Sequence, residues 1–368
     1  ALEIRILTER DDVLTVAVPP YRVDVRREAD LAEELLRIYG YNNVEFDETL
    51  HASLSYRQPT DDANQLQNLV SEQLTAAGYR EIMNNSLTAV SYYDGLEMYP
   101  LDNCVRLLNP LSSDLAVMRS TLLSSLIPCV QYNLNRQQSR VRFFELGLRF
   151  DYQGASSIHD LKQVPAFALI AAGPRAAESW HGKPAEMDFF DFKGDVEEIL
   201  AAARLKVEYV RSERAWLHPG QSAEILLNGQ SIGYLGRLHP SLEAELDLSA
   251  TWVAELDQQA ILQTYVSNFT ELSRFPSVRR DIALLISDNI EVRDIQRLIE
   301  QTGGELLDST WLFDVYTGQG VEQGKRSLAF AVLWQHPART LEDAEIKSGM
   351  DNIIQVLEDT YQATLRAS

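Results

Sequence analysis

The chain has 368 residues, 45% of them apolar, with 33 Lys+Arg against 54 Asp+Glu, a formal net charge of −21 and two cysteines, Cys104 and Cys129. That length exceeds one ordinary core and predicts two or three domains. No run approaches the ~18–20 apolar residues of a membrane span, the opening ALEIRILTER is no secretory signal, two cysteines exclude a disulfide scaffold and point to a reducing compartment, and the acidic balance excludes non-specific nucleic-acid binding through a global positive field.

Residues 2–18 alternate through Leu2, Ile4 and Ile6 and again from Val13 to Val18, either side of Asp11-Asp12, which predicts a β-hairpin ending at Pro19-Pro20. The chain starts without a methionine and inside this pattern, so an excised or processed chain is expected. The stretch 21–44, YRVDVRREADLAEELLRIYGYNNV, predicts a helix capped by Asp30 and stopped by Gly40, with Leu31, Leu35 and Ile38 as its apolar stripe. Asp30, Glu33 and Glu34 stand at i, i+3 and i+4 and share a helix face, and Asp24 lies upstream on an extended segment able to fold back. Two readings stand for these acids. One is a solvated first turn favoured by the helix dipole. The other is a hard-cation site, since Mg2+ prefers carboxylate oxygens and water.

After a polar, proline-containing stretch at 53–60, residues 62–79 carry Leu66, Leu69, Val70, Leu74 and Ala77 at helical spacing, with Gly78 as the stop. That apolar face reads as core or subunit interface. Residues 107–150 read as a loop, a helix through Leu134, a basic turn holding Arg136 and Arg140, and a strand from Val141. The turn is a solvated loop or a phosphate contact. An apolar strand over 164–173, a helix from Lys193 or Gly194 and a hairpin over 217–240 turning at Asn228-Gly229 follow. His218 and His239 each precede a proline, no ligand stands at zinc spacing from them, and no G-x-S-x-G elbow is present.

The segment 273–368 separates from the rest and counts 10 Lys+Arg against 15 Asp+Glu, net −5, so any RNA contact there is local and shape-specific. RRDIALLI predicts a strand and VRDIQRLIEQTGG a helix ended by two glycines. In 303–330, Leu306, Leu307, Trp311, Phe313 and Val315 precede a break at Gly318, Gly320 and Gly324, after which Leu328, Phe330 and Val332 resume the alternation. This predicts a hairpin with a long turn. A helix follows with Leu341, Ile346, Met350, Ile353, Ile354 and Leu357 inward, and QATLRAS closes the sheet. The order β-α-β-β-α-β is the split βαβ of ferredoxin-like folds. Three residues between Gly320 and Gly324, and Arg326 after Lys325, exclude a P-loop.

Three sets of motifs, in this order, resemble the C-terminal half of the β-subunit family of bacterial phenylalanyl-tRNA synthetase. YRVDVRREADLAEELLRIYGYNNV is similar to that family's B5 domain. NPLSSDLAVMRSTLLSSLIP, FKGDVEEIL and LHPGQSAEILLNGQSIGYLGRLHP are similar to its degenerate class II synthetase core. FPSVRRDIALLI, GGELLDSTWLFDVY, GKRSLAF and ARTLEDAEI are similar to its ferredoxin-fold anticodon-binding domain. The resemblance implies a multi-domain α+β chain. It would have a truncated, winged-helix-like B5 segment over 1–52, an antiparallel-sheet class II synthetase-like core over 53–268 and a ferredoxin-like βαββαβ domain over 273–368. It also implies a cytoplasmic (αβ)2 ligase that joins phenylalanine to tRNA(Phe) with ATP.

The family's Mg2+ site, shared with the α subunit, uses Asp-x5-Asp-x2-Glu-Glu, and Asp24, Asp30, Glu33 and Glu34 fill that pattern. The resemblance places anticodon contacts at Asp314 and Ser327, with Lys325 and Arg326 on phosphate. Arg279 either faces RNA or pairs with Asp281. Arg142-Phe143-Phe144-Glu145 resembles the class II fRxE motif, but the Gly-rich strand-helix ending in an ATP-clamping arginine is absent. ATP is therefore expected on the α subunit, no catalytic residue is expected here, and the family's N-terminal RNA-binding and editing domains have no counterpart in this chain. A regulatory or scaffold protein whose βαββαβ unit senses a ligand or dimerises is the alternative, distinguished by its lack of RNA affinity. A self-sufficient class II ligase would need the missing arginine.

Overall fold

A computed structural model describes residues 2–45, 49, 52, 63–94, 98–152, 154, 157–183, 185–262, 269 and 271–366. The polar stretch 53–60 lies outside them. The chain divides into two compact units, Ala1–Tyr265 and Val266–Ser368.

The first unit opens with the hairpin β1 (Arg5–Arg10) and β2 (Val13–Ala17), followed by α1 (Glu28–Tyr39). Gly40, at φ 97°, closes α1 by donating its amide to the Leu36 carbonyl. The helix starts earlier than the sequence suggests. Asp30 is not its cap but its third residue, where the carboxylate turns back to accept the amides of Arg26 and Arg27 at 2.9 and 2.8 Å. Its apolar stripe is open in this chain, with Leu35 64% and Ile38 56% exposed.

Next come α2 (Ala63–Ala76), β3 (Arg80–Glu81), β4 (Leu87–Thr88), α3 (Ser91–Asp94), β5 (Val117–Met118), α4 (Leu123–Leu134), β6 (Val141–Asp151) and β7 (Lys162–Ala172). They are followed by α5 (Phe189–Ala202), β8 (Glu208–Arg211), β9 (Leu217–Leu227), β10 (Gln230–Leu238), α6 (Pro240–Glu245), β11 (Thr251–Asp257) and α7 (Gln258–Ile261). Seven strands form one sheet in the order β3-β6-β7-β11-β10-β9-β8, antiparallel throughout except for the β3–β6 pair. Asn228 (φ 52°) and Gly229 (φ 79°) make the β9–β10 turn, as their sequence requires. Alternation along the strands divides the core in two. Phe144, Phe167, Leu169 and Trp252 pack with Val70 and Leu74 of α2 and with Phe192, Val196 and Ile199 of α5. Val141, Phe143, Ile170 and Val253 pack with Leu123, Leu126 and Ile127 of α4 and Leu242 of α6. Helix α5 begins at Phe189 rather than near Lys193, because Asp188 accepts the Asp191 amide at 2.8 Å and caps it there.

The second unit contains β12 (Val278–Ser287), α8 (Val292–Thr302), β13 (Leu307–Tyr316), β14 (Lys325–Trp334), α9 (Asp343–Tyr361) and β15 (Thr364–Leu365). The sheet order β13-β14-β12-β15, all antiparallel, is the ferredoxin-like split βαβ. Ile295 and Ile299 of α8 and Ile346, Ile353 and Leu357 of α9 share a core with Ile282, Leu284, Leu328, Phe330, Val332 and Trp334. Both helices therefore lie on one face, and among the described residues of this unit the other carries no helix. Among the described residues no helix is long and apolar enough to cross a membrane.

Candidate nucleic-acid interface

The bare face of the second sheet is set by strand register. Tyr316 of β13 stands beside Ser327 of β14 and Leu285 of β12; Asp314 beside Ala329 and Ala283; Trp311 beside Ala331 and Asp281. The register slips between Leu312 and Asp314, a bulge that takes Phe313 out of strict alternation. Trp311, Phe313 and Tyr316 are 39%, 47% and 36% exposed, so three aromatic rings border a floor of small side chains. The alternation the sequence shows through Trp311, Phe313 and Val315 is broken by this bulge, and the aromatic members face solvent rather than core.

Two arginines lie over these rings. The Arg279 guanidinium carbon stands 5.4 Å from the Trp311 centroid and 5.1 Å from that of Phe313, and its Nε donates to Asp281 at 2.7 Å. Of the two options the sequence leaves for Arg279, the pairing with Asp281 is present, and the guanidinium lies on the bare face beside the rings. The Arg366 guanidinium carbon stands 4.8 Å from the Tyr316 centroid, and its Nη1 donates to the Ser327 hydroxyl at 3.3 Å. The Tyr316 hydroxyl donates to the Gln319 carbonyl at 3.2 Å, which fixes the ring.

The expected contact residues separate on this geometry. Asp314 is exposed on the bare face. Ser327 is on the same face but only 4% exposed, with the Arg366 guanidinium on its hydroxyl. Lys325 sits at the turn exit and pairs with Glu322 at 2.8 Å. Arg326 is a correction: as the neighbour of Ser327 in a strand its side chain takes the opposite face, where it donates to the Ile290 carbonyl. Arg366, Trp311 and Phe313 are the members that sequence reasoning missed. Such a face can stack unpaired bases on its rings, accept base N–H groups at Asp314 and hold phosphate with its arginines.

The acidic quartet at α1 is built differently. Arg22 joins two of its members, reaching Asp24 at 2.9 Å and Glu34 at 2.8 Å, and Arg37 reaches Glu34 at 2.7 Å. Hydrogen bonds from Arg22 and then Arg37 hold the Glu34 carboxyl down at about 2. The Arg26 amide, then Arg27, do the same for Asp30, also to about 2. Glu33 is exposed. Among the described residues no three His, Cys, Asp or Glu side chains converge to hold a metal ion. In this arrangement the quartet does not fit Mg2+: arginine already supplies the positive charge, and Asp30 is committed to the helix start.

The fRxE-like residues of β6 are also committed within the fold. Arg142 pairs with Asp195 at 3.2 Å and donates to the Arg175 carbonyl at 2.9 Å, while the Tyr79 hydroxyl donates to Asp195 at 2.6 Å. Glu145, fully buried, accepts from Arg119 at 2.6 Å and from the Asn84 amide side chain at 2.7 Å. A Cβ on Gly147 would stand 2.3 Å from the Arg119 guanidinium, so glycine there lets that side chain cross the strand.

Residues 28–258 match the family model of the phenylalanyl tRNA synthetase beta chain CLM domain, 273–366 that of the ferredoxin-fold anticodon binding domain, and 1–41 that of the tRNA synthetase B5 domain. The phenylalanine–tRNA ligase beta subunit of Acinetobacter baylyi is 69% identical over 96% of this chain and 44% of its own length. That of Psychrobacter arcticus is 42% identical over 99% of this chain and 46% of its own. The chain therefore spans about half the length of the curated relatives it matches. A pyrrolysyl-tRNA synthetase from Desulfitobacterium hafniense aligns with 54% of this chain and 68% of its own at 14% identity and TM-score 0.42, too distant a likeness to carry an argument.

Proposed function

The chain belongs to the phenylalanyl-tRNA synthetase beta-chain family, and from that premise we propose that it acts within a cytoplasmic phenylalanine–tRNA ligase, an (αβ)2 assembly. The reaction joins phenylalanine to tRNA(Phe) through an aminoacyl adenylate, with ATP giving AMP and diphosphate. Three segments, 1–52, 53–268 and 273–368, divide the work. The first two brace the partner α subunit and the third docks the anticodon on the bare sheet face. The observation that carries this reading is that face: three exposed aromatic rings and two arginines, in the segment matched by an anticodon-binding family model. ATP chemistry belongs to the α subunit in this proposal, because Arg142 is buried and already paired with Asp195. Asp314 would read a base edge, while Lys325 and Arg279 would serve phosphate only by loosening from Glu322 and Asp281.

A Mg2+ ion at Asp24, Asp30, Glu33 and Glu34 would need both ligands from a partner chain and release of Arg22, so no step of the reaction is assigned to it here. The Mg2+ dependence of α association in an Asp30→Ala chain tests it. An unchanged dependence leaves the quartet as a self-neutralised helix start.

The experiment that tests the whole reading is capture of the α subunit by this chain, with tRNA(Phe) charging measured alongside. Binding of α with charging supports it. Neither binding nor charging, with dimerisation instead, returns the chain to a scaffold role.

A further inference from the structure

Among the arginines of the bare face, Arg366 differs from Arg279 in its partners. Arg279 has a carboxylate, Asp281, at 2.7 Å. Among the described residues Arg366 forms no ion pair; it rests on the Tyr316 ring and the Ser327 hydroxyl. Its backbone is fixed, since its amide donates to the Ala283 carbonyl at 2.9 Å where β15 runs beside β12. The side chain then crosses the sheet to β13. A fixed root and a charged tip held by no carboxylate among the described residues suit a group that changes partner on binding.

We infer that Arg366 is a resident stand-in for RNA on this face: in the free chain its guanidinium covers Tyr316 and Ser327, and on docking it passes to a phosphate and leaves both to a nucleobase. This rests on the reading of the face as an RNA site. The exchange is favourable for a physical reason. A cation over an exposed ring and a hydrogen bond to a neutral hydroxyl at 3.3 Å are weak holds. A guanidinium–phosphate contact is charge-assisted, bidentate and stronger. The guanidinium also stands over the ring on which a flat base would stack, which keeps the Tyr316 ring and the Ser327 hydroxyl positioned before RNA arrives. Arg366 is thus a positioning residue first and a phosphate contact second.

The test uses the full chain and a stem-loop RNA carrying the phenylalanine anticodon, with the same stem under a scrambled loop as control. Affinity is measured across a salt series for wild type, Arg366→Ala, Arg366→Lys and Trp311→Ala. Arg366→Ala is expected to weaken the anticodon stem-loop about tenfold and to reduce the salt slope by about 0.7, one released counterion on a single strand. Arg366→Lys keeps the slope and recovers part of the affinity, which a purely structural role would not produce. If Arg366→Ala leaves affinity within about twofold and the slope unchanged while Trp311→Ala weakens binding, the Arg366 inference fails and the RNA face stands. A loss without any change of slope also overturns it. If the wild-type chain does not bind the stem-loop, or binds it without regard to Trp311, the RNA reading of the face fails and the inference with it.

Discussion

The two large sheets treat similar residues in opposite ways. In the seven-stranded sheet both faces are covered, and the Arg142 and Glu145 of its strand β6 become internal struts, Glu145 with Arg119 and Arg142 with Asp195 of α5. In the four-stranded sheet one face is covered, and the arginines of the other lie on exposed rings. The contrast teaches that an arginine beside an acid and an aromatic has no fixed role. The number of covered faces decides whether it braces the fold or remains available to a ligand.

The largest effect that tests this contrast is in the covered sheet. Glu145→Ala leaves the Arg119 guanidinium, 3% exposed, without its counter-charge. Breaking one partner of a buried pair costs about 3–5 kcal/mol, and urea denaturation of the full chain is expected to show a loss of that size. A cost under about 1 kcal/mol, the range of surface pairs, would mean the pair is solvated and the contrast false. The next effect reverses the weighting. Trp311→Ala removes a 39% exposed ring and is expected to cost about 1–3 kcal/mol of RNA binding, the worth of one stacked base, but little stability. A large fall in the melting temperature with unchanged RNA affinity would make Trp311 a core residue. Arg326→Ala should behave in the opposite sense, losing about 1–3 kcal/mol of stability through its bond to the Ile290 carbonyl and leaving RNA affinity unchanged.

Those paired predictions follow from what the sequence could and could not convey. The β9–β10 hairpin was legible because Asn228-Gly229 requires one turn type. The βαββαβ order was legible because helical and strand periods alternate across 273–368. The face of each residue in β13 was not, because the bulge after Leu312 breaks the period of two that assigns faces. Arg326 is next to Ser327 in sequence, but in a strand adjacency means opposite faces. Arg366 gave almost no local signal, since its partners Ser327 and Tyr316 are 39 and 50 residues away and only the closing strand brings it to them. The acidic quartet was legible as a motif but not as a structure. Its spacing counts the carboxylates and says nothing of Arg22, which holds two of them.

The smallest expected effect lies on the covered side of the four-stranded sheet, at Glu345 in the first turn of α9. Its carboxylate accepts from Arg339 Nη1 at 2.8 Å and from the Glu342 amide at 2.9 Å. These hydrogen bonds, Arg339 first, lower its pKa from the ordinary 4.5 to about 2. A depressed folded-state pKa stabilises the fold fully above the unfolded value and loses that contribution as pH falls through the folded one. The window is therefore about pH 4.5 down to 2. Glu345→Gln is neutral at every pH and lacks the ion pair, so its urea midpoint should lie slightly below wild type at pH 6, with the gap narrowing stepwise toward pH 3. A gap that stays constant over that range would mean the Arg339 contact adds nothing to stability. The helix start would then rest on the Glu342 amide bond alone, which a glutamine oxygen can also accept. A narrowing gap would show that even on the covered side of this sheet a solvent-near arginine–acid pair braces the fold, though far more weakly than the sealed pair at Glu145.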